Sequence, residues 1–169
     1  MIESPARRLA RTFTPRSEME AYEAEVRKQP GVEPGWLESM RPAGAEWRAY
    51  FEERGFVCPA SLVELADLAG EVFVDIGGWR MHDPGAARAD REMFLSMSAQ
   101  WPEAAPYADM ISVFGNDGDL VLIARDGRVF GWRHDATVEL APLAASFDAL
   151  LDALLDVLDG RRANPLDFW

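Results

Sequence analysis

Residues 110–132 read MISVFGNDGDLVLIARDGRVFGW, residues 137–142 read TVELAP and residues 145–158 read ASFDALLDALLDVL; together these pieces decide the fold. MISVF has strand composition, GNDGD is a turn cluster, and LVLIA is an almost unbroken apolar run. Such a run fits a central strand covered on both faces. Asp126-Gly127 makes a hairpin turn, and RVFGW and TVEL then read as two further strands joined through His134 and Asp135. After Pro142, Ser146 is placed to cap a helix. Its Phe147, Leu150, Leu151, Leu154, Leu155 and Leu158 recur on one side, with Asp148, Asp152, Asp156 and Asp159 mostly opposite. A helix so patterned docks its apolar side on the sheet, and Gly160, Arg161 and Arg162 suit its C-terminal end.

Upstream, Ser17 with Glu20 and Ser61 with Glu64 have capping-box spacing. They predict helices carrying Met19, Tyr22 and Val26 on one face, and Leu62, Leu65, Ala66 and Ala69 on the other's. Between them, residues 32–44 are rich in proline and glycine and read as loose. A helix with a Trp47, Tyr50, Phe51, Arg54 stripe then ends at Gly55. EVFVDI (residues 71–76) predicts one strand, turned through Gly77-Gly78 into WRMH (residues 79–82). Asp83-Pro84 opens a helix expected to reach Gln100, with Met93, Phe94 and Met97 on one side, and residues 102–108 read as loop. The expectation is an α+β fold: a mainly antiparallel sheet of five to six strands packed by helices and closed by a C-terminal amphipathic helix. Residues 1–45 form a helical N-terminal extension to a single domain spanning residues 46–169.

The chain has 169 residues, a single cysteine and a net charge of −12. That length buries a sizeable core without a disulfide, and one cysteine permits neither an internal disulfide nor an all-cysteine metal cluster. No run of about 18 apolar residues occurs, so a cytoplasmic protein without signal or membrane span is expected. Residues 1–48 carry eight acids and eight bases, so the whole excess lies in residues 49–169. That excess repels nucleic-acid backbones and anionic lipid and favours a basic protein partner. Arg125, Arg128 and Arg133 lie on the meander, but neighbouring acids outnumber them.

Catalytic patterns are lacking. His82 and His134 fall in different hairpins, Cys58 precedes a proline, and no HxxxH or CxxC spacing exists, which argues against a metal or other cofactor. Asn116, Asp117, Gly118 and Asp119 superficially resemble a calcium loop, yet Arg128 stands where its bidentate glutamate belongs. No serine lies in a GxSxG context, and neither a GxGxxG nor a P-loop is present. A small enzyme could be assembled only from His82, His134 and scattered carboxylates. Cys58 reads as a small buried apolar group.

At the residues just read, the chain resembles the SUKH superfamily of bacterial immunity proteins, which includes homologues of a fungal cell-wall assembly regulator. The matching pieces, in order, are FEERGF, CPASLVEL, IGG, VFGNDGDLVLIARDGRVFGW and ELAPLAASFDALLDALL, spanning residues 47–158. A type VI secretion immunity family shares the same ending. The leading 45 residues and the stretch between Gly78 and Ile111 match no position of these families. The resemblance implies an α+β protein that neutralises a cognate toxin by binding it, without catalysis; charge favours a basic toxin such as a nuclease. The acids expected to make that contact, as a group at one end of the meander, are Asp117, Asp119, Asp126, Asp135 and Glu139. A regulatory or scaffold module that binds a protein through the aromatic N-terminal helices is the alternative.

Overall fold

A computed structural model describes residues 3–135 and 139–167. Two strands, β1 (Thr14–Pro15) and β2 (Val72–Phe73), pair with each other. Six more form one antiparallel sheet in the order β3 (Asp75–Ile76), β4 (Trp79–Met81), β5 (Ile111–Asn116), β6 (Asp119–Ile123), β7 (Val129–Trp132), β8 (Ala141–Ala144). The helices are α1 (Pro5–Ala10), α2 (Arg16–Val26), α3 (Trp36–Ser39), α4 (Gly44–Glu53), α5 (Ala60–Leu68), α6 (Pro84–Met97), a 3-10 helix (Pro102–Asp109) and α7 (Phe147–Leu158). The architecture is the expected α+β one.

Every residue of β6 is buried, and its side chains divide by parity. Val121 and Ile123 enter a large core with Trp47 and Phe51 of α4, Leu62 and Leu65 of α5, and Leu150, Leu151 and Leu154 of α7. Leu120 and Leu122 enter a second core on the other face, with Phe94 of α6, Tyr107 of the 3-10 helix and Trp132 of β7. Alternation on a pleated strand therefore forces helices onto both faces of the sheet. Aromatic contacts tie the layers: Phe114 stacks on Phe147 at 6.3 Å, and Phe94 meets Trp132 edge-on at 5.0 Å. Ala6, Leu9 and Phe13, from the first 45 residues, belong to the same large core.

Local expectations divide into those met and those corrected. Ser146 accepts from Ala149 N at 3.1 Å and Asp83 from Ala86 N at 2.8 Å, so both caps form. Gly77 and Gly78 both take positive φ, 61° and 92°, as their tight turn requires. Ser17 and Ser61 are not caps: α2 and α5 start after Pro15 and Pro59, leaving both serines inside the first turn. The proline ring already fixes an extended entry into each helix, which moves the start upstream of the serine. In α2, Met19 and Glu23 are the buried residues, whereas Tyr22 is 55% exposed beside Trp36. Glu23 Oε2 accepts from Leu37 N at 2.9 Å, which holds α3 in a stretch expected to be loose.

EVFVDI is not one strand. Val74, buried in the large core, breaks it, so β2 joins β1 while β3 joins β4. Helix α6 stops at Met97 rather than Gln100, Met93 is 37% exposed, and residues 102–109 coil into the 3-10 helix where a loop was expected. The last strand is Ala141–Ala144, not TVEL; Glu139 and Leu140 lie outside it, and Thr137 and Val138 fall outside the described residues. Pro142 is tolerated there because β8 is an edge strand, where a missing N–H goes unneeded. Leu158, on the expected apolar side of α7, is 54% exposed, whereas Leu166 of the tail is fully buried. Phe168 and Trp169 lie outside the described residues.

Because Leu151 is fully buried where α7 meets the sheet, Leu151→Ala is expected to lower unfolding free energy by about 2–5 kcal/mol. Exposed Leu158→Ala should cost under about 1 kcal/mol, both read from urea denaturation midpoints.

Candidate functional site

The strand directions sort the expected contact acids. Strand β5 runs to a two-residue turn, Asp117-Gly118, in which both residues have positive φ (48° and 93°). Strand β6 returns, residues 124–128 turn at the far end, and β7 comes back to His134 and Asp135. Asp117 and Asp135 thus share one end of the sheet with Glu139, which lies just before the start of β8, and all three are exposed. The Gly77-Gly78 turn of β3 and β4 joins them there, since a Cβ on Gly78 would stand 3.6 Å from the Asn116 amide. Asp126 does not: it lies in the opposite turn, where its carboxylate accepts from Arg128 N at 3.1 Å and Arg128 Nε at 2.7 Å. Its expected place beside the other acids is corrected by the period of the meander, which returns every second turn to the same end.

Asp119 is also corrected. It is 1% exposed, so it offers no rim charge. Its Oδ1 accepts from the backbone N of His134 at 3.0 Å and lies 2.9 Å from His134 Nδ1. This grip pins the chain after Trp132 to the start of β6. Gly118 allows the approach, because a Cβ there would press on the His134 ring at 3.1 Å. The Asp119 hydrogen bond raises the His134 pKa above its ordinary value, with the charges of Asp119, Asp135 and Asp117 adding to it.

Ligand-type atoms of Asp119, His134 and Asp135 lie within 4.8 Å of one another, a grouping invisible in the spacing of the sequence. They could surround a cation, but each has protein partners: Asp119 and His134 hold each other, and Asp135 pairs with Arg133 at 2.9 Å. The two histidines are not brought to a common carboxylate. His82 Nδ1 lies 3.1 Å from Asp90 Oδ2, which also accepts from Ser112 Oγ at 2.5 Å. Neither Asp90 nor Ser112 carries a motif that sequence reading could have found; α6 and β5 bring them together. Cys58 is half-buried, and desolvation pushes its thiol up to about 11 despite the opposing charge of Arg48.

Two measurements follow from these environments. A histidine whose pKa is higher folded than unfolded stabilises the fold fully below its unfolded value of about 6.5, and that contribution is lost as pH rises through the folded value. His134→Gln should therefore remove a component of stability seen in denaturation at acidic pH and leave stability at alkaline pH little changed. Cys58 should react with iodoacetamide at pH 8 about tenfold more slowly than a free thiol, because scarcity of thiolate outweighs its greater nucleophilicity.

Among the described residues, no helix is long and apolar enough to cross a membrane. Compared with known proteins, the chain matches no family model, no curated protein and no solved structure.

Proposed function

We propose that this protein is a cytoplasmic immunity protein that binds and neutralises a cognate bacterial toxin, without catalysis, through the acidic end of its six-stranded sheet. The observation that carries this reading is the convergence of exposed Asp117, Asp135 and Glu139 at one end of the sheet, where the buried Asp119 holds His134. Charges held on a preorganised surface steer a basic partner and select it by complementarity without a large ordering cost. The excess of acid in residues 49–169 extends that field, and a basic nuclease is the toxin class it suits. The resemblance to SUKH immunity proteins over residues 47–158 supports the same reading.

Exposed Tyr22 against Trp36 favours the second reading, a regulatory or scaffold module that binds a protein through its N-terminal helices. Co-expression with the toxin encoded beside this protein separates the two. Rescue of growth and co-purification are expected, and Tyr22→Ala should leave both intact. Replacing Asp117, Asp135 and Glu139 together by lysine should slow association about tenfold or more at low salt, whereas Asp126→Lys at the opposite end should not. Failure to rescue would overturn the toxin assignment; an unchanged association rate in the triple variant would overturn the assigned face.

A further inference from the structure

Asp119, His134 and Asp135 bring three metal-ligating atoms within 4.8 Å of one another, although 15 residues of chain separate Asp119 from His134. A transition-metal ion holds carboxylate oxygen and imidazole nitrogen at about 2.0–2.2 Å, which sets neighbouring donors of a tetrahedral shell about 3.3 Å apart. Asp119 Oδ1 and His134 Nδ1, 2.9 Å apart, already stand close to that spacing. Asp135 is the next residue along the chain, and its exposed carboxylate closes the third side by a small rotation.

The burial of Asp119 sets this trio apart from an ordinary exposed cluster. Its carboxylate lies in the interior, where a charge is costly unless it is matched. Both contacts of Oδ1 are to His134, and once the ring is neutral neither of them supplies a positive charge. The partners already present are compatible with a cation. Between Asp119 and His134 lies the proton on Nδ1, and a divalent ion can take its place between the same two atoms, releasing that proton to solvent. The bond from the His134 backbone N to Oδ1, at 3.0 Å, holds the carboxylate in position throughout. Arg133 meets Asp135 at 2.9 Å, and a carboxylate oxygen can keep such a donor while it ligates with a remaining lone pair. Gly118, having no Cβ, admits the His134 ring at this distance.

We propose that Asp119 Oδ1, His134 Nδ1 and the Asp135 carboxylate bind a divalent transition-metal ion of the Zn2+ class, with the remaining coordination positions open to water. One imidazole beside two carboxylates selects such an ion over Mg2+ and Ca2+, which prefer shells made wholly of oxygen. Three protein ligands and an open position leave the ion exchangeable rather than sealed in. The site lies at the end of the sheet assigned to the toxin, but it stands on the geometry of this chain alone and does not depend on that reading.

The test is a titration of the full chain, without any partner, with Zn2+ at pH 8 in a non-chelating buffer, followed by calorimetry and by NMR of the histidine ring nitrogens. One ion per chain with a dissociation constant of roughly micromolar order is expected. The His134 Nδ1 resonance should move to a metal-bound position with the ring proton on Nε2, while the His82 ring stays unchanged. Ca2+ and Mg2+ should bind about a hundredfold more weakly or less. His134→Gln should remove Zn2+ binding at this pH, and Asp135→Asn should weaken it about tenfold or more. Asp126→Asn, in the opposite turn, should leave it unchanged. Saturating Zn2+ should raise the melting temperature of the native chain but not that of His134→Gln. Coordination through His134 Nε2 or through His82, equal affinity for Ca2+, or Zn2+ binding that survives His134→Gln would overturn the proposal.

Discussion

The structure depends on the burial of β6 on both faces. Five consecutive residues, Asp119 to Ile123, are removed from water, and no single layer of helices could accomplish that. Val121 and Ile123 require the packing of α4, α5 and α7, while Leu120 and Leu122 require α6 and the 3-10 helix. The closing helix α7 has its strong apolar face because it covers one of these surfaces. Phe94 and Tyr107 pack edge-on at 5.6 Å because together they cover the other. The antiparallel neighbours β5 and β7 satisfy the backbone of β6, so its polar groups are paired within the apolar interior.

The same strand sets up the proposed binding end. Asp119, its first residue, is a carboxylate carried into the interior by the apolar run that follows it, and it can stay there because His134 supplies two donors. That bond locates the chain leaving β7, and with it Asp135. A residue expected to act as an exposed charge instead organises the exposed charges around it. Asp90 and Ser112 likewise lie outside any motif, yet α6 and β5 bring them together beside His82.

Much of the fold was legible in order and type of element. The alternating runs of β5 to β7, the glycine turns and the heptad-like spacing of leucines in α7 are local patterns with direct physical readings. Where local reading failed, a neighbouring proline or a distant contact had intervened. Ser17 and Ser61 have cap spacing, but Pro15 and Pro59 begin those helices earlier, and Arg16 N donates to Glu71 O on a separate segment. EVFVDI alternates like a single strand, but Val74 is drawn into the core and splits it between two sheets. Glu23 had no place in the expected face of α2, but it is buried and holds the α3 backbone.

By itself the sequence determined the α+β class, the central position of LVLIA, the closing helix and the sign of the electrostatic field, because hydrophobic period and net charge are properties of neighbours along the chain. Only the tertiary structure decided which acids share an end of the sheet, which one is buried, and which carboxylate each histidine meets. Strand direction, register and the approach of α6 to β5 set those placements, and none of them is encoded by spacing between adjacent residues.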